Sequence, residues 1–115
     1  MIEERSFQFA LEVIKLIKVL RAKREYVFAD QLLRSATSIG ANVSEASAGQ
    51  SKKDFIAKMA IASKESRETR YWLRLIKEGN IVEENLDGYL DEIEQIVKML
   101  TKIVKTSQLN VKTQN

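Results

Sequence analysis

The stretch LDGYLDEIEQIVKMLTKIVK, residues 86–105, carries an apolar residue at alternating intervals of four and three positions. These residues are Leu86, Leu90, Ile93, Val97, Leu100 and Val104. Because an α-helix completes a turn in about 3.6 residues, this spacing gathers them into one apolar line, or seam, along a helix. The pattern predicts a helix over about residues 83–105 that packs its seam against other helices.

Three further segments predict helices over about residues 3–24, 29–46 and 52–78, and the last two show the same spacing. The seam of the second helix consists of Ala29, Leu32, Ala36, Ile39, Val43 and Ala46. The seam of the third consists of Phe55, Met59, Ala62, Ser66, Thr69, Leu73 and Ile76. The run SATSIGA in the second helix would let a neighbouring helix approach closely. Gly49 is predicted to cap the end of the second helix, and Ser51 the start of the third.

The composition favours helices and one domain. The chain has 115 residues, no Pro and four Gly, whereas a β-rich fold of this size needs many turn residues. Four helices with short connections predict an all-α, antiparallel up-down-up-down four-helix bundle over residues 1–105. Residues 106–115 are polar and are predicted to form a frayed C-terminal tail.

The residue types that most often carry catalysis or bind metals are scarce. His and Cys are absent, which removes the commonest general base and any thiolate metal site. No segment resembles a nucleophile turn, a phosphate-binding loop or a carboxylate dyad. We therefore expect no enzyme activity, no catalytic residue, no cofactor and no metal site. No run of about 18 apolar residues and no leader-like N-terminal segment occurs, so we expect a cytoplasmic location without membrane contact.

The first predicted helix is more apolar than one packed face requires. Ten of the fifteen residues from Ser6 to Leu20 are apolar, whereas a surface helix needs about three positions in seven. One interpretation is that the helix buries two faces, one in its own bundle and one against another copy of the chain. The alternative is that it is the central helix of a single chain.

The third predicted helix carries seven cations on one side. At about 100° per residue they fall within an arc of roughly 140°. They are Lys52, Lys53, Lys64, Arg67, Arg70, Arg74 and Lys77. A segregated basic face suits phosphate oxygens, and it predicts sequence-independent, salt-sensitive binding of RNA or DNA.

Ion pairing is an alternative role for the same cations. The segment EENLDGYLDEIE, residues 83–94, contains six acids and no base, so it could neutralise the basic face of its own or a neighbouring chain. An acidic protein partner is a third interpretation. A second basic cluster has no acid within it and favours a polyanion. It consists of Lys15, Lys18, Arg21, Lys23 and Arg24.

Several other side chains could have a role. Tyr71 and Trp72 could stack on bases, although a Trp beside an apolar seam is more often a packing or interface residue. Asn42 and Glu45 are three residues apart and are predicted to form a hydrogen-bonded or capping pair. Glu65 and Glu68 could ligate a metal from one helix face, but the absence of His and of a facing acidic pair argues against it.

The stretch QLLRSATSIGANVSEASAGQSKKDFIAKMAIASKESRETRYWLRL, residues 31–75, resembles a known family. These are bacterial four-helix-bundle proteins first noticed as reading frames within intervening sequences of 23S ribosomal RNA genes. The matching features are the small-residue run ending in NVSE, then SKKDF, AIA and ESRETRYWL. The family usually has Glu-Gly after the first of these motifs, whereas Glu45 is followed by Ala46. The resemblance implies structural motif roles for Asn42, Glu45, Glu65, Glu68 and Trp72.

The resemblance also implies an assembly and a function. Such bundles form rings, commonly homopentamers. A relative is the accessory variability determinant of diversity-generating retroelements, whose basic ring binds nucleic acid and a reverse transcriptase. We therefore predict a non-enzymatic oligomer that binds nucleic acid through the basic face of the third helix. The alternative is a structural or adaptor oligomer that docks a protein partner and uses its charges for intersubunit ion pairs.

Overall fold

Four α-helices make up the described chain, which in this computed structural model comprises the backbone of residues 1–114 and the side chains of residues 1–111. The helices are α1 Ile2–Ala22, α2 Tyr26–Ser47, α3 Lys52–Glu78 and α4 Asp87–Gln114, and residues 1–114 contain no strand. Helices α1 and α3 each pack against both α2 and α4. The all-α prediction with four helices is confirmed.

The predicted seams form the core together with buried residues of α1 such as Phe9, Val13 and Leu16. All six seam residues of α2 are buried, and in α3 every seam residue except the half-buried Phe55 is buried. The seam of α4 contributes Leu86, Ile93, Val97 and Leu100, while Leu90 and Val104 are half-buried. Each fully buried Leu or Ile contributes about 1.5–3 kcal/mol relative to an exposed position, so the seams supply most of the driving force for packing.

Two hydroxyls of the core satisfy each other. Thr69 Oγ1 on α3 lies 3.0 Å from Ser35 Oγ on α2 and 2.9 Å from the carbonyl oxygen of Glu65. Ser35 Oγ also donates to the carbonyl of Leu32 at 3.3 Å. Because small side chains occupy these seam positions, α2 and α3 approach closely without leaving a buried polar atom unpaired among the described side chains.

The fourth helix differs from its predicted bounds. It begins at Asp87 rather than near residue 83, because the Asn85 Oδ1 atom accepts the Asp87 backbone N–H at 2.9 Å and holds the preceding chain in a turn. Leu86 is buried immediately before the helix starts. At the other end the helix continues past residue 105 to Gln114, so most of the predicted tail is helical. Asn115 lies outside the described residues.

The other connections are short. Helix α1 ends at Ala22, and Arg24 takes a left-handed φ of 61° before α2 begins at Tyr26, three residues earlier than predicted. The C-cap of α2 is Ala48 rather than Gly49. The predicted N-cap of α3 is present, since Ser51 Oγ accepts the Asp54 backbone N–H at 3.1 Å.

A second apolar face of α1 points away from the core. Phe7, Leu11 and Ile14 are 57%, 42% and 37% exposed. They border a groove of about 500 Å³ whose opposite wall includes Gly40 and Ala41 of α2. In the single chain α1 is therefore not a central helix. No helix in the described part of the chain is both long and apolar enough to cross a membrane.

Candidate nucleic-acid interface

Part of the predicted basic face is neutralised by α4. The Arg70 guanidinium lies 2.9 Å from Glu94, and Lys77 Nζ lies 2.8 Å from Asp87. The hydrogen bond to Asp87 and then its negative charge raise the pKa of Lys77 above its usual value. Both acids belong to the acidic segment at residues 83–94, so intrachain ion pairing accounts for these two cations.

Two further cations of the face, Arg74 and Arg67, have partners outside the acidic segment at residues 83–94. Arg74 pairs with Glu78 one turn along α3 at 3.1 Å. Arg67 donates to the neutral hydroxyl of Thr101 on α4 at 2.8 Å. Because a hydroxyl carries no charge, the Arg67 charge is held beside α4 without being neutralised.

The remaining cations of the face, Lys52, Lys53 and Lys64, are exposed and have no ion-pair partner among the side chains of residues 1–111. The predicted face therefore divides along α3. Its unpaired half consists of Lys52, Lys53, Lys64 and Arg67. Its paired half consists of Arg70, Arg74 and Lys77.

The acids of the same α3 segment point elsewhere. Glu65 is buried and accepts a hydrogen bond from Arg34 of α2 at 3.2 Å. Asp54 precedes Glu65 by eleven residues, which on a helix places it within about 20° of the same direction. Lys58, on this side too, pairs with Glu45 of α2 at 2.9 Å. The α2 side of α3 is thus the acidic side, and the unpaired half lies away from it.

Three lysines of α4 were missed by the sequence analysis. Lys98, Lys102 and Lys105 are exposed and have no ion-pair partner among the described side chains. On a helix they lie within about 80° of Glu94, the residue that reaches Arg70 of α3. The signal was present in the sequence, because no acid follows Glu94.

The family-motif acids of α3 contact side chains of α2 and α3. Arg34 binds both Glu65 and Glu68, and Trp72 Nε1 donates to Glu68 at 3.1 Å. This clamp joins α2 to α3 and occupies the two carboxylates that could have been considered as metal ligands. Among the described side chains, no group of three or more potential metal-ligating residues comes together.

The two aromatic residues of the motif differ in exposure. Trp72 is half-buried and meets Phe28 of α2 edge-on, with ring centroids 6.3 Å apart. Tyr71 packs edge-on against Trp72 at 5.3 Å and remains 57% exposed. Trp72 is a packing residue in this arrangement, whereas Tyr71 is available to a partner.

Asn42 and Glu45 have partners other than each other. Asn42 Nδ2 donates to the carbonyl oxygen of Ser38 at 2.8 Å, within α2. Glu45 reaches Lys58 of α3. The predicted pair is therefore replaced by one bond inside α2 and one ion pair across the α2–α3 contact.

The second basic cluster is partly neutralised. Lys15 pairs with Glu12 at 3.0 Å and Arg21 with Asp30 at 2.7 Å. Lys18, Lys23 and Arg24 are exposed and unpaired among the described side chains. They lie toward the end of α1 and beyond it, so they form a group of cations separate from the unpaired half of α3.

A further ion pair joins α1 to α4. The Arg5 Nε and Nη2 atoms lie 2.7 Å and 2.9 Å from the two carboxylate oxygens of Glu92. The hydrogen bond from Arg5 lowers the pKa of Glu92, while partial burial opposes the shift. Nearby, the Tyr89 hydroxyl donates to the Glu12 carbonyl at 3.1 Å, and burial raises the pKa of Tyr89. These contacts fix α4 against α1.

The four helices, the close α2–α3 contact and the Arg34 clamp define an all-α four-helix protein with a divided basic face on its third helix. The profile of the 23S rRNA-intervening sequence protein family matches residues 1–102. The chain belongs to this family, and the resemblance noted from its motifs is confirmed.

Among solved structures, the chain is similar to a protein of unknown function from the S23 ribosomal protein family of Bacteroides thetaiotaomicron. The two share 40% sequence identity with a TM-score of 0.83. The match covers 91% of this chain and 99% of that chain. A comparison with curated proteins found no match.

Proposed function

We propose that this protein is a non-enzymatic, oligomeric accessory module that binds nucleic acid through the unpaired half of the α3 basic face. The observation that carries the proposal is the division of that face. Cations that serve only to hold helices together would each have an acidic partner, as Arg70 and Lys77 do. Lys52, Lys53 and Lys64 have none among the described side chains and face solvent.

Phosphate binding by this surface follows from simple electrostatics. Exposed lysines that lack acidic neighbours keep their full charge for a ligand, and Arg67 adds a guanidinium with donors left for a phosphate oxygen. Contacts of this kind position a nucleic acid without reading its sequence. The relation to the accessory proteins of diversity-generating retroelements is part of this proposal and rests on the sequence motifs. The cytoplasmic location expected from the sequence is part of it too.

The proposal includes an antiparallel up-down-up-down arrangement. Three contacts between α2 and α3 support it, because residue numbers rise along one helix as they fall along the other. Arg34 meets Glu68, Ser35 meets Thr69, and further along α2 Glu45 meets Lys58 near the start of α3. Contacts between α3 and α4 follow the same rule, with Lys77 beside Asp87 and Arg67 beside Thr101.

A ring-shaped homo-oligomer, with five subunits as the expected number, is the proposed assembly. The exposed apolar face of α1 supports it, since Phe7, Leu11 and Ile14 repeat at helical spacing beside a groove walled by small residues of α2. An exposed apolar surface of this kind is typical of a protein interface. We expect light scattering at micromolar concentration to give a mass several times 13.2 kDa, and a mass of one subunit would contradict the assembly.

The paired half favours a second function. Arg70 and Lys77 are bound within the chain, which is the behaviour expected of a structural or adaptor oligomer that docks a protein partner. Tyr71 and the half-exposed Leu75 would offer that partner an apolar contact. The observed ion pairs of Arg70 and Lys77 join helices of one chain. They therefore do not support the intersubunit pairing that this alternative includes.

The test of the proposed function is binding by the wild-type protein. Fluorescence anisotropy would follow titration of labelled DNA and RNA of unrelated sequences at about 50 mM salt, a condition in which phosphate contacts are strong. We expect similar affinities for the different sequences and a steep loss of affinity as salt rises. If the wild-type protein binds none of these nucleic acids, the adaptor function replaces the nucleic-acid function.

A further inference from the structure

We propose that Lys98, Lys102 and Lys105 of α4 join the unpaired half of α3 in one two-helix surface that binds the phosphate backbones of double-stranded nucleic acid. The inference rests on the proposed nucleic-acid function and adds to it a second helix and a ligand class. We call this surface the α3–α4 lysine face. It consists of Lys52, Lys53, Lys64, Arg67, Lys98, Lys102 and Lys105.

The register of α3 and α4 brings the two sets of cations together. Arg67 bonds Thr101, and Lys52 of α3 shares a surface pocket with Ser107 and Asn110 of α4. Between these two points, Lys102 and Lys105 lie at the same level as the first half of α3, and Lys98 lies about one turn before Thr101. Glu94 and Thr101 mark the edge of α4 that reaches α3. The three lysines lie on the solvent side of that edge.

The absence of acids distinguishes this surface from the rest of the α3–α4 pair. Toward the start of α4, Asp87 and Glu94 neutralise cations of α3. After Glu94 the sequence contains no acid. On α3 the acids before Arg67 lie on the α2 side. Charge of one sign therefore accumulates on both helices over the same length, which is the arrangement that attracts a polyanion.

The geometry favours a duplex over a single strand. Packed helices lie about 8–10 Å apart, so the surface presents two rows of cations at about that separation. A duplex presents two rows of phosphates across grooves about 6–12 Å wide, whereas a single strand presents one row. The span from Lys52 to Arg67 is about 22 Å at 1.5 Å per residue, long enough for several phosphates of each strand.

The composition of the surface points the same way. Single-strand binding commonly uses exposed aromatic rings on which bases stack. Among the described side chains of residues 52–67 and 95–111, the one aromatic is Phe55, which is half-buried against the core, and the exposed Tyr71 lies one turn beyond Arg67 beside the paired half. Lysines are flexible point charges suited to backbone phosphates rather than to the edges of particular bases.

The experiment compares two charge-matched variants of the full-length protein. The test variant replaces the lysines of α4 with K98Q, K102Q and K105Q. The control variant makes the same change in net charge at the far end of the molecule with K18Q, K23Q and R24Q. Anisotropy titrations would use a DNA duplex of about 20 base pairs and its isolated strand, between about 50 and 200 mM salt. Circular dichroism would check that each variant is folded, as expected for exposed positions.

We expect the wild-type protein to bind the duplex more tightly than the single strand. The α4 variant should lose at least about tenfold in duplex affinity at the lower salt concentration. In a plot of log binding constant against log salt concentration, the magnitude of its slope should be smaller than that of wild type by about 2–3. The control should remain within about twofold of wild type. Replacing the same three lysines with arginine (K98R, K102R and K105R) keeps the charge. This variant should bind the duplex as wild type does, since charge rather than packing is responsible.

Other outcomes would overturn the inference in distinguishable ways. If wild type binds but the α4 variant binds equally well, α4 has no part in the site and the proposed function stands on α3 alone. Equal losses in both variants would mean that net charge, and not this surface, determines affinity. Equal or tighter binding of the single strand would overturn the duplex assignment. Binding to vesicles containing phosphatidylserine without binding to duplex would indicate a membrane surface. If no nucleic acid binds, the proposed function falls as well.

Discussion

Gly40 lies where α1 and α2 approach each other, and the structure predicts opposite effects for two substitutions at this position. A Cβ atom at Gly40 would lie 3.5 Å from Ser6 Oγ and 3.7 Å from the Ser6 backbone, which is ordinary van der Waals contact. Alanine therefore fits without movement. Because Gly in a helix interior costs about 1 kcal/mol relative to Ala, we expect Gly40→Ala to stabilise the protein by about 0.5–1 kcal/mol.

Gly40→Leu should have the reverse effect. The Ser6 backbone of α1 lies only 3.7 Å from the Cβ position and cannot give way as a flexible side chain would, so a larger side chain would be crowded there. We expect a loss of about 1–3 kcal/mol from overpacking. Ala36→Leu should cost as much or more, because Ala36 is fully buried on the seam of α2 and offers the larger side chain no route to solvent.

Urea denaturation followed by circular dichroism would measure these changes at one fixed protein concentration, since the stability of the proposed oligomer would depend on concentration. We expect Gly40→Ala to be the most stable protein, wild type to be intermediate, and the two leucine variants to be the least stable. If Gly40→Leu unfolds at the same urea concentration as wild type, the close approach of α1 to α2 is wrong. A destabilised Gly40→Ala would show that even one carbon cannot be accommodated.

Three further predictions concern single contacts. Thr69→Val should destabilise the protein by about 0.5–1.5 kcal/mol, because it removes the hydroxyl that meets Ser35. Adding Ser35→Ala to this variant should cost little more. Strictly additive losses in denaturant melts would contradict a shared hydrogen bond. Glu92 has a lowered pKa in the folded state, so its pairing with Arg5 stabilises the protein above the unfolded pKa and is lost as pH falls through the folded one. Because both side chains are about one-third exposed, Glu92→Gln should cost about 0.5 kcal/mol at pH 7 and less at acid pH, and a cost independent of pH in denaturant melts would refute the pairing. Ser51→Ala should cost about 1 kcal/mol by removing the N-cap of α3, and an unchanged melting curve would show that the cap is dispensable.

The fold was largely predictable because burial follows spacing. The alternating spacing of three and four residues in α3 predicted Met59 and Leu73 as core residues without any knowledge of their partners. The start of α4 was not predictable in this way. Glu83 and Glu84 are good helix formers, but the Asn85 side chain and the burial of Leu86 hold this segment in a turn. A local side-chain bond and a tertiary contact outweighed helix propensity there.

The candidate site was predictable only in part, for a related reason. Helical phase showed that seven cations share one face of α3, but it could not show which of them meet acids. The Arg70–Glu94 pair joins residues 24 positions apart, and its formation depends on the register between two packed helices. The lysines of α4 belong to the acid-free stretch after Glu94, which is visible in the sequence, but their position beside α3 depends on the same register between packed helices.

We propose that the α3 basic face divides into a half that binds nucleic acid and a half whose cations are paired with acids of the same chain. Two triple variants with equal changes in net charge test it, one in each half. The first carries K52Q, K53Q and K64Q, and the second carries R70Q, R74Q and K77Q.

The decisive measurement is the duplex affinity and the melting temperature of both variants, determined on the same samples. We expect the first variant to lose duplex affinity by at least about tenfold at low salt, while its melting temperature stays equal to that of wild type. The second should melt at a lower temperature, because it loses three ion pairs, and should keep most of its affinity while folded. The reverse pattern, or an equal loss of affinity in both variants, would contradict the division of the face.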